Sequence, residues 1–249
     1  MHTLTWQGPA TQSEEIEAQL NAAGALGIVI SDSDDGSGDV QVQAWFDAKL
    51  DISMSGKYRW EAVNPDDWKI TATVLVGEVE IECASDVFGD GRHPTTQLCL
   101  DLLKTVVDQS KNPAEISCLD IGTGSGILAI AAWQLGVRNI LGIDNEPNAV
   151  MQARENAIKV GMPDDCFVLG DAKTFSSDPY SLVLANILTQ TIEDSISTIR
   201  RNLAPCGILI VSGVGIQWKA STEQLFAEMN LDLLETRVHD GWVAFVCRG

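Results

Sequence analysis

The sequence predicts an α/β fold, in which a doubly wound, Rossmann-like sheet ends in an antiparallel hairpin and follows a small α+β domain. From residue 116 onward, strand-like and helix-like segments alternate, a pattern typical of a parallel sheet with helices on both faces. The last two strand-like runs are joined by His239-Asp240-Gly241, and Asp-Gly readily adopts the positive φ angles of a tight hairpin. Residues 1–60 follow a β-α-β-β order, which predicts a separate, smaller unit.

Apolar runs and turn residues locate each element of the α/β domain. Gly136 and Gly161 each follow a helical segment, as expected for residues that end helices. Pro205 cannot continue the helix before it. The predicted strands cover residues 116–121, 139–143, 166–169, 181–185, 208–212, 231–238 and 242–248, and the predicted helices cover residues 127–135, 147–160, 190–203 and 219–229.

The N-terminal region has its own order of elements. A strand over residues 3–7 precedes a helix that we expect Ser13 to cap and Gly24 to end. Strands follow over residues 27–31 and 40–46. We therefore expect an α+β domain over residues 1–60, a linker over 61–85 and the α/β domain over 86–249.

The turn after the first strand of the α/β domain contains Gly122, Gly124 and Gly126. Glycine has no Cβ atom, so the backbone of such a turn approaches a ligand closely. Dinucleotide sites use the spacing G-x-G-x-x-G, whereas here the third glycine comes one residue early and Asp120 lies two positions before the first. This spacing favours S-adenosylmethionine. The alternative is a tight turn that holds no ligand.

Asp144 ends the second predicted strand, about 20 residues after the glycines, where a carboxylate can accept hydrogen bonds from ribose hydroxyls. The simpler alternative is a helix cap ahead of Pro147, because proline is favoured early in helices. The coincidence of turn and acid at this spacing favours the ribose interpretation. Together with the terminal hairpin, it indicates the class I methyltransferase architecture.

The charge balance limits the partners that this chain can bind. With 16 basic and 35 acidic residues, its net charge is −19, which would repel the phosphates of a nucleic acid. The same field would attract a basic protein. An acidity that only maintains solubility is the alternative.

The chain of 249 residues, 45% of them hydrophobic, can form one large domain and a small one. It has no apolar run of the roughly 18 residues that span a bilayer, and the N-terminus lacks the features of a signal peptide. Six cysteines occur without a C-x-x-C pair, which favours reduced, buried thiols and argues against a metal site. We expect a cytoplasmic protein.

Three motifs in order resemble those of the ribosomal protein L11 methyltransferase family. They are Phe88-Gly89-Asp90-Gly91-Arg92-His93-Pro94-Thr95-Thr96, the glycine turn from Leu119 to Gly126, and Ala185-Asn186-Ile187. The family's own motifs are F-G-x-G-x-H-P-T-T, G-x-G-S-G-I-L-A-I and A-N-I. The resemblance covers residues from about 86 to the C-terminus.

The resemblance implies N-methylation of lysines and of the N-terminal amine of a ribosomal protein. S-adenosylmethionine would be the cofactor, and the small N-terminal domain would bind the substrate. Among the matching positions, Asn186 would lie beside the transferable methyl group and Asp144 would hold the ribose. The remaining cofactor-binding positions would be Phe88, His93, Thr96, Gly122 and Gly124.

The chemistry of methyl transfer adds roles for three side chains. Asn186 follows the fourth strand and can accept a hydrogen bond from an amine nucleophile, which would aim its lone pair at the methyl carbon. Asp171 follows the third strand and is a candidate acceptor for the adenine amino group. We expect His93 to order the loop 91–96 or to shape the pocket, since the amine proton can leave through water before attack.

Other functions remain open at this point. Asp90 and Arg92 replace small polar residues of the family, and the stretch between Trp68 and Phe88 is shorter than the family's linker. Both departures favour a methyltransferase for another protein or a small amine. A non-catalytic protein that binds S-adenosylmethionine and an NAD-dependent oxidoreductase are the further alternatives. The number of methyl groups added and the oligomeric state are not predicted.

Overall fold

The computed structural model describes residues 2–25, 27–32, 39–46, 48–50, 52, 54–62, 70–76, 79–85 and 91–249. Its internal contacts divide the chain into two units, Met1–Lys69 and Ile70–Gly249. Within the described ranges, no helix combines the length and the apolar composition that crossing a membrane requires.

The first unit is an antiparallel sheet with one helix. Its elements are β1 (His2–Pro9), α1 (Ser13–Ala22), β2 (Gly27–Asp32), β3 (Asp39–Phe46) and β4 (Lys57–Ala62), and the strand order is β2-β3-β1-β4. Helix α1 packs on the sheet through Ile16 and Leu20, which are buried with Leu4 and Trp6 of β1. The predicted small α+β unit is therefore present, with one strand more than expected.

Ser13 does not cap α1, contrary to the prediction. A short 3₁₀ turn, Ala10–Gln12, precedes the helix, and Gln12 takes the capping position without a side-chain hydrogen bond. The Ser13 hydroxyl donates instead to the carbonyl oxygen of Ala10 at 2.8 Å. A serine hydroxyl can donate to a neighbouring carbonyl oxygen or accept from an amide at a helix N-terminus. The residue type alone therefore did not locate the cap.

The second unit begins with a strand pair and a helix that the sequence analysis does not predict. Strands β5 (Ile70–Val76) and β6 (Val79–Ser85) form a separate two-stranded antiparallel sheet, within the stretch 61–85 expected to be a linker. Helix α2 (Pro94–Asp108) follows. Its buried residues Leu98, Leu102, Leu103 and Val107 recur at helical spacing.

A seven-stranded sheet forms the rest of this unit and confirms the predicted fold class. The strand order is β12-β13-β11-β10-β7-β8-β9; β7 to β11 are parallel, and β13 runs antiparallel to β11 and β12. The elements are β7 (Ser117–Ile121), α3 (Ile127–Gln134), β8 (Asn139–Asp144), α4 (Pro147–Lys159), β9 (Phe167–Leu169), β10 (Tyr180–Asn186), α5 (Thr189–Arg201), β11 (Leu203–Gly215), α6 (Lys219–Glu228), β12 (Asp232–His239) and β13 (Trp242–Arg248).

Helices cover both faces of this sheet. Helices α2, α3 and α4 contribute to one buried cluster. Helices α5 and α6 contribute to the other, through residues such as Ile192, Ile196 and Phe226. Parallel strands of such a sheet end at one common edge, where ligands bind in α/β folds. The register aligns Ile121 with Ile143 and Ala185, and Asn186 with Ser212.

Most of the described cysteines are buried free thiols, as predicted. Cys99, Cys118 and Cys247 are buried, whereas Cys206 is exposed. Burial raises the pKa of the Cys247 thiol to about 12 and raises the pKa of Cys118 well above its usual value, with the nearby Asp120 carboxylate adding to the effect. These buried thiols therefore stay protonated at neutral pH.

Candidate active site

A cavity of about 630 Å³ opens at the carboxyl edge of the seven-stranded sheet. Its volume lies within the usual range for small-molecule sites. Five of the residues predicted from the sequence line it, namely His93, Gly122, Asp144, Asp171 and Asn186. The cavity therefore brings together residues that the sequence analysis assigned separately.

The glycine turn after β7 forms one wall of the cavity. The amides of Gly122 and Thr123 each donate to the carbonyl oxygen of Ile143 at 2.9 Å. Gly122 has φ +68°, and a Cβ atom there would lie 2.3 Å from Cγ2 of Ile187. Only glycine fits this conformation and this contact. The turn is thereby held close to the end of β10.

Asp144 links this turn to the next helix. Its Oδ2 accepts from the amide of Gly124 at 2.9 Å, and its Oδ1 accepts from the amide of Glu146 at 3.0 Å. The N-cap position of α4 belongs to Glu146, not to Asp144. The Asp144 carboxylate thus binds two backbone segments and also lines the cavity. A residue that only capped a helix would neither bond to Gly124 nor line the cavity.

Asp120 and Thr123 form a buried pair beneath the glycine turn. The Thr123 hydroxyl donates to Oδ2 of Asp120 at 2.6 Å, and the Asp120 side chain is 1% exposed. Burial raises the pKa of Asp120 to about 7; hydrogen bonds from Thr123 and from the backbone of Ala129 oppose the rise, and the nearby charge of Asp144 adds to it. Near neutral pH, this carboxyl therefore exists in both protonation states.

Asp171 lies in a tight turn after β9. Its Oδ1 accepts from the amide of Lys173 at 2.8 Å, and its carbonyl oxygen accepts from the amides of Thr174 and Phe175. The Lys173 ammonium group pairs with Asp194 of α5 at 2.8 Å, which raises the pKa of Lys173. Helix α5 thus supports the turn that presents Asp171 to the cavity.

The Asn186 side chain is oriented by Thr96. The side-chain nitrogen of Asn186, Nδ2, donates to the Thr96 hydroxyl at 3.3 Å. Thr96 lies in α2 and is 1% exposed. With the nitrogen so engaged, the side-chain oxygen of Asn186 is the atom that can accept a hydrogen bond from an amine. Thr96 is absent from the cavity wall, where its neighbour Thr95 stands instead.

His93 caps α2 and also walls the cavity. Its Nδ1 accepts from the amide of Thr95 at 3.3 Å and lies 2.8 Å from the Thr95 hydroxyl. Its ring centroid lies 5.0 Å from that of Trp242, edge to face. Phe88 and Asp90, also named from the sequence, lie outside the described residues.

Several residues of the cavity wall were not predicted from the sequence. Gly213 has φ +89°, and a Cβ atom there would lie 2.0 Å from the carbonyl oxygen of Ile187, so glycine lets the ends of β10 and β11 meet. The motif Ser212-Gly213-Val214-Gly215 directly after a predicted strand was the available signal. Thr95 and Ile187 belong to two of the family motifs, although no role was assigned to them. No local pattern pointed to the rest of the wall, which consists of Asn145, Gly170, Ala172, Lys173, Leu188, Thr191 and Trp242.

Comparisons with known proteins agree with this architecture. Residues 78–249 match the family model described as ribosomal protein L11 methyltransferase (PrmA). A ribosomal protein L11 methyltransferase of Desulfosudis oleivorans is 36% identical over 177 residues, which cover 69% of this chain and 57% of that protein. One of Pasteurella multocida is 30% identical over 251 residues, covering 82% of this chain and 84% of that protein.

A solved structure gives the same result. The ribosomal protein L11 methylase of Lactobacillus delbrueckii subsp. bulgaricus shares 30% sequence identity at a TM-score of 0.56, covering 63% of this chain and 79% of that one. The chain spans just over half the length of several curated relatives, at 57%, 57% and 52%. Since the family model matches well over half of the chain, the protein belongs to the ribosomal protein L11 methyltransferase family.

Proposed function

We propose that this protein is an S-adenosylmethionine-dependent methyltransferase that N-methylates lysine side chains or the N-terminal amine of ribosomal protein L11. The observation that carries the proposal is the Asn186–Thr96 pair at the end of β10. It orients a side-chain oxygen in the cavity that Asp144 and the glycine turn also line. Membership of the family supports the same activity.

The residues present fit S-adenosylmethionine. Gly122 lines the cavity, and without a Cβ atom its backbone can lie beside Ile187, where the methionine part would bind. Gly124 is not one of the wall residues, and it would act through its amide, which donates to Asp144. Asp144 can accept hydrogen bonds from the ribose, and Asp171 from the adenine amino group. His93 and Thr95 would close the site from the start of α2, and Thr96 would act through its hydrogen bond with Asn186. When bound, the cofactor supplies a sulfonium methyl group as the electrophile.

Asn186 would position the amine for attack. Its side-chain oxygen accepts one N–H of the neutral amine and thereby directs the nitrogen lone pair at the methyl carbon. The cofactor would supply the methyl carbon and keep the C–S bonding pair on its sulfur, so that the new N–C bond would replace the C–S bond. The amine must first lose a proton to water. Desolvation within the cavity favours this deprotonation, and the acidic surroundings oppose it. His93 is not needed as a base, because the amine proton can leave through water before attack.

The substrate would be a basic protein. A net charge of −19 attracts Lys/Arg-rich surfaces and repels nucleic acid. We assign recognition of the substrate to the first unit, and methyl transfer to the second. A ribosomal substrate implies a cytoplasmic location.

The test is intact-mass spectrometry of unmethylated ribosomal protein L11 after incubation with this protein and S-adenosylmethionine. Mass gains in steps of about 14 Da per methyl group are expected, one for each in-line transfer. Asn186→Ala should lower kcat about 100-fold, because a misdirected nucleophile costs that much, with little change in cofactor affinity. Thr96→Val should lower kcat less. Cofactor binding without any mass gain on L11 would refute the proposed substrate, and an unchanged rate for Asn186→Ala would refute its role.

A further inference from the structure

Three large apolar side chains are exposed just after the neighbouring strands β10 and β11, at the carboxyl edge of the seven-stranded sheet; Leu169 of β9 and Val238 of β12 are exposed at the same edge. Leu188, Ile216 and Trp218 are 71%, 45% and 50% exposed. We call these three residues the apolar rim. Leu188 also lines the cavity, so the apolar rim is continuous with the candidate active site.

The connections of the sheet bring these residues to one edge. Strands β10 and β11 pair side by side up to Asn186 and Ser212, and the apolar rim follows directly after both strands. The amide of Ile216 donates to the carbonyl oxygen of Gly241 at 2.8 Å, next to Trp242 of the cavity wall. Leu188 therefore belongs to the cavity wall, and Ile216 is attached next to that wall.

Two residues of the apolar rim occupy positions at which an apolar side chain brings no local benefit. Leu188 is the N-cap of α5 and Trp218 the N-cap of α6, and neither makes a side-chain capping hydrogen bond. Serine, threonine, aspartate or asparagine at an N-cap would stabilise the helix. Trp218 also ends a 3₁₀ turn, Ile216–Trp218, that continues into α6, and both helix starts expose a large apolar group. Local rules that are broken together beside a site indicate a functional use.

The backbone of the apolar rim is held in place. The hydroxyls of Ser221 and Thr222 both donate to the carbonyl oxygen of Trp218 at 2.9 Å. A rigid, exposed tryptophan is the kind of side chain that dominates protein interfaces. A small free amine would be enclosed by the cavity and would need no apolar surface outside it.

The charges beside the apolar rim favour a basic occupant. Glu193, in α5, and Asp240, in the turn before β13, are exposed, whereas Lys219, which follows Trp218, is paired with Glu223 at 2.6 Å. The two acidic side chains attract a segment that carries lysines or an N-terminal ammonium group. We propose that the apolar rim binds the polypeptide segment next to the target amine of the protein substrate, an inference that rests on the proposed function.

The experiment measures binding and methylation in parallel with full-length protein. Fluorescently labelled L11 is titrated with the wild type, with Trp218→Ser and with the double variant Ile216→Ser/Trp218→Ser, in the presence of S-adenosylhomocysteine. We expect the Kd for L11 to rise about ten-fold in the double variant, since loss of central interface side chains commonly costs this much. The Kd for the cofactor should not change. Serine is a good N-cap residue, so Trp218→Ser should fold.

A matched control removes exposed apolar groups elsewhere. Met151 and Ile158 of α4 are 57% and 63% exposed, and Met151→Ser/Ile158→Ser should bind L11 like the wild type. If the wild type and Ile216→Ser/Trp218→Ser bind L11 with equal affinity, the proposed role of the apolar rim is refuted. Wild-type binding without methylation would overturn the proposed function alone, and no wild-type binding would overturn both.

Discussion

At the scale of single residues, the site depends on polar groups buried under the glycine turn. Asp120 accepts from the Thr123 hydroxyl, and Asp144 accepts from Gly124 and Glu146. Asp144, Asp171 and Asn186 could be named from the sequence because each follows a predicted strand, and parallel strands end at one edge. Trp242 could not be named in this way, because it begins an antiparallel strand whose neighbours only the sheet order reveals.

Replacing Asp120 by asparagine should change how stability depends on pH. The pKa of Asp120 is about 7 in the folded protein, against a usual 3.8. As the pH rises through this window, the unfolded chain loses the proton first, so the wild type loses stability relative to Asp120→Asn. The difference in free energy of unfolding should grow by up to about 4 kcal/mol between pH 4 and pH 8. Urea denaturation at several pH values measures it, and a constant difference would contradict the raised pKa.

Gly213→Ala should be strongly destabilising. Its Cβ atom would lie 2.0 Å from the carbonyl oxygen of Ile187, so the ends of β10 and β11 must separate. We expect a loss of about 3 kcal/mol or more in free energy of unfolding, together with weaker cofactor binding. Gly161→Ala is the control, because it also has a positive φ but no atom within 4 Å of the added Cβ. It should cost only about 1–2 kcal/mol; equal losses in the two variants would contradict the packing argument.

At the scale of elements, local sequence signals located most strands and helices of the sheet within a few residues, but β11 begins at Leu203, five residues before the predicted strand 208–212. They missed α2 and the pair β5–β6. Helix α2 begins at Pro94 with His93 as its N-cap, a start that histidine does not usually signal. Among the residues that the structure describes, strands β5 and β6 pair only with each other, so they do not belong to the alternation of strands and helices from which the other strands were predicted. Helix α5 is the opposite case, because it forms although its N-cap residue is apolar and the usual capping residue is missing.

Leu188→Ser should therefore stabilise the protein. A serine hydroxyl at this N-cap can accept from a free amide in the first turn of α5, which contributes about 1 kcal/mol. The melting temperature should rise by about 2–4 °C. Leu188→Ala removes the same exposed side chain without providing a cap, so it should not raise the melting temperature. Equal melting temperatures for the two variants would show that the N-terminus of α5 is already satisfied.

At the scale of the whole molecule, charge and the division into units govern encounters with a partner. The sequence predicted a boundary region over residues 61–85, and the contacts divide the chain after Lys69. The excess of 35 acidic over 16 basic residues acts at longer range than any single contact. Salt screens such a field, with a Debye length of about 10 Å at 0.1 M ionic strength.

The KM for a basic protein substrate should rise with ionic strength. Between 50 and 500 mM KCl we expect an increase of about ten-fold, because steering of the encounter is lost. The affinity for S-adenosylmethionine, which is held by short contacts inside the cavity, should change less. Steady-state kinetics and a cofactor titration at the same salt concentrations provide the comparison. A KM independent of salt would contradict a steering role for the net charge.

The sequence by itself determined the alternation of strands and helices, the glycine turn with Asp144, and the terminal hairpin. These features depend on residues close together in the chain, where periodicity and backbone preferences act directly. Only the tertiary structure decided that Thr96 orients Asn186 across a separation of 90 residues, and that Gly213 meets Ile187. The same holds for the apolar rim, which two helix starts and the end of β11 form together. Such contacts depend on strand order and register. Packing of the whole sheet brings these residues together, and the residues next to them in the sequence do not indicate the contact.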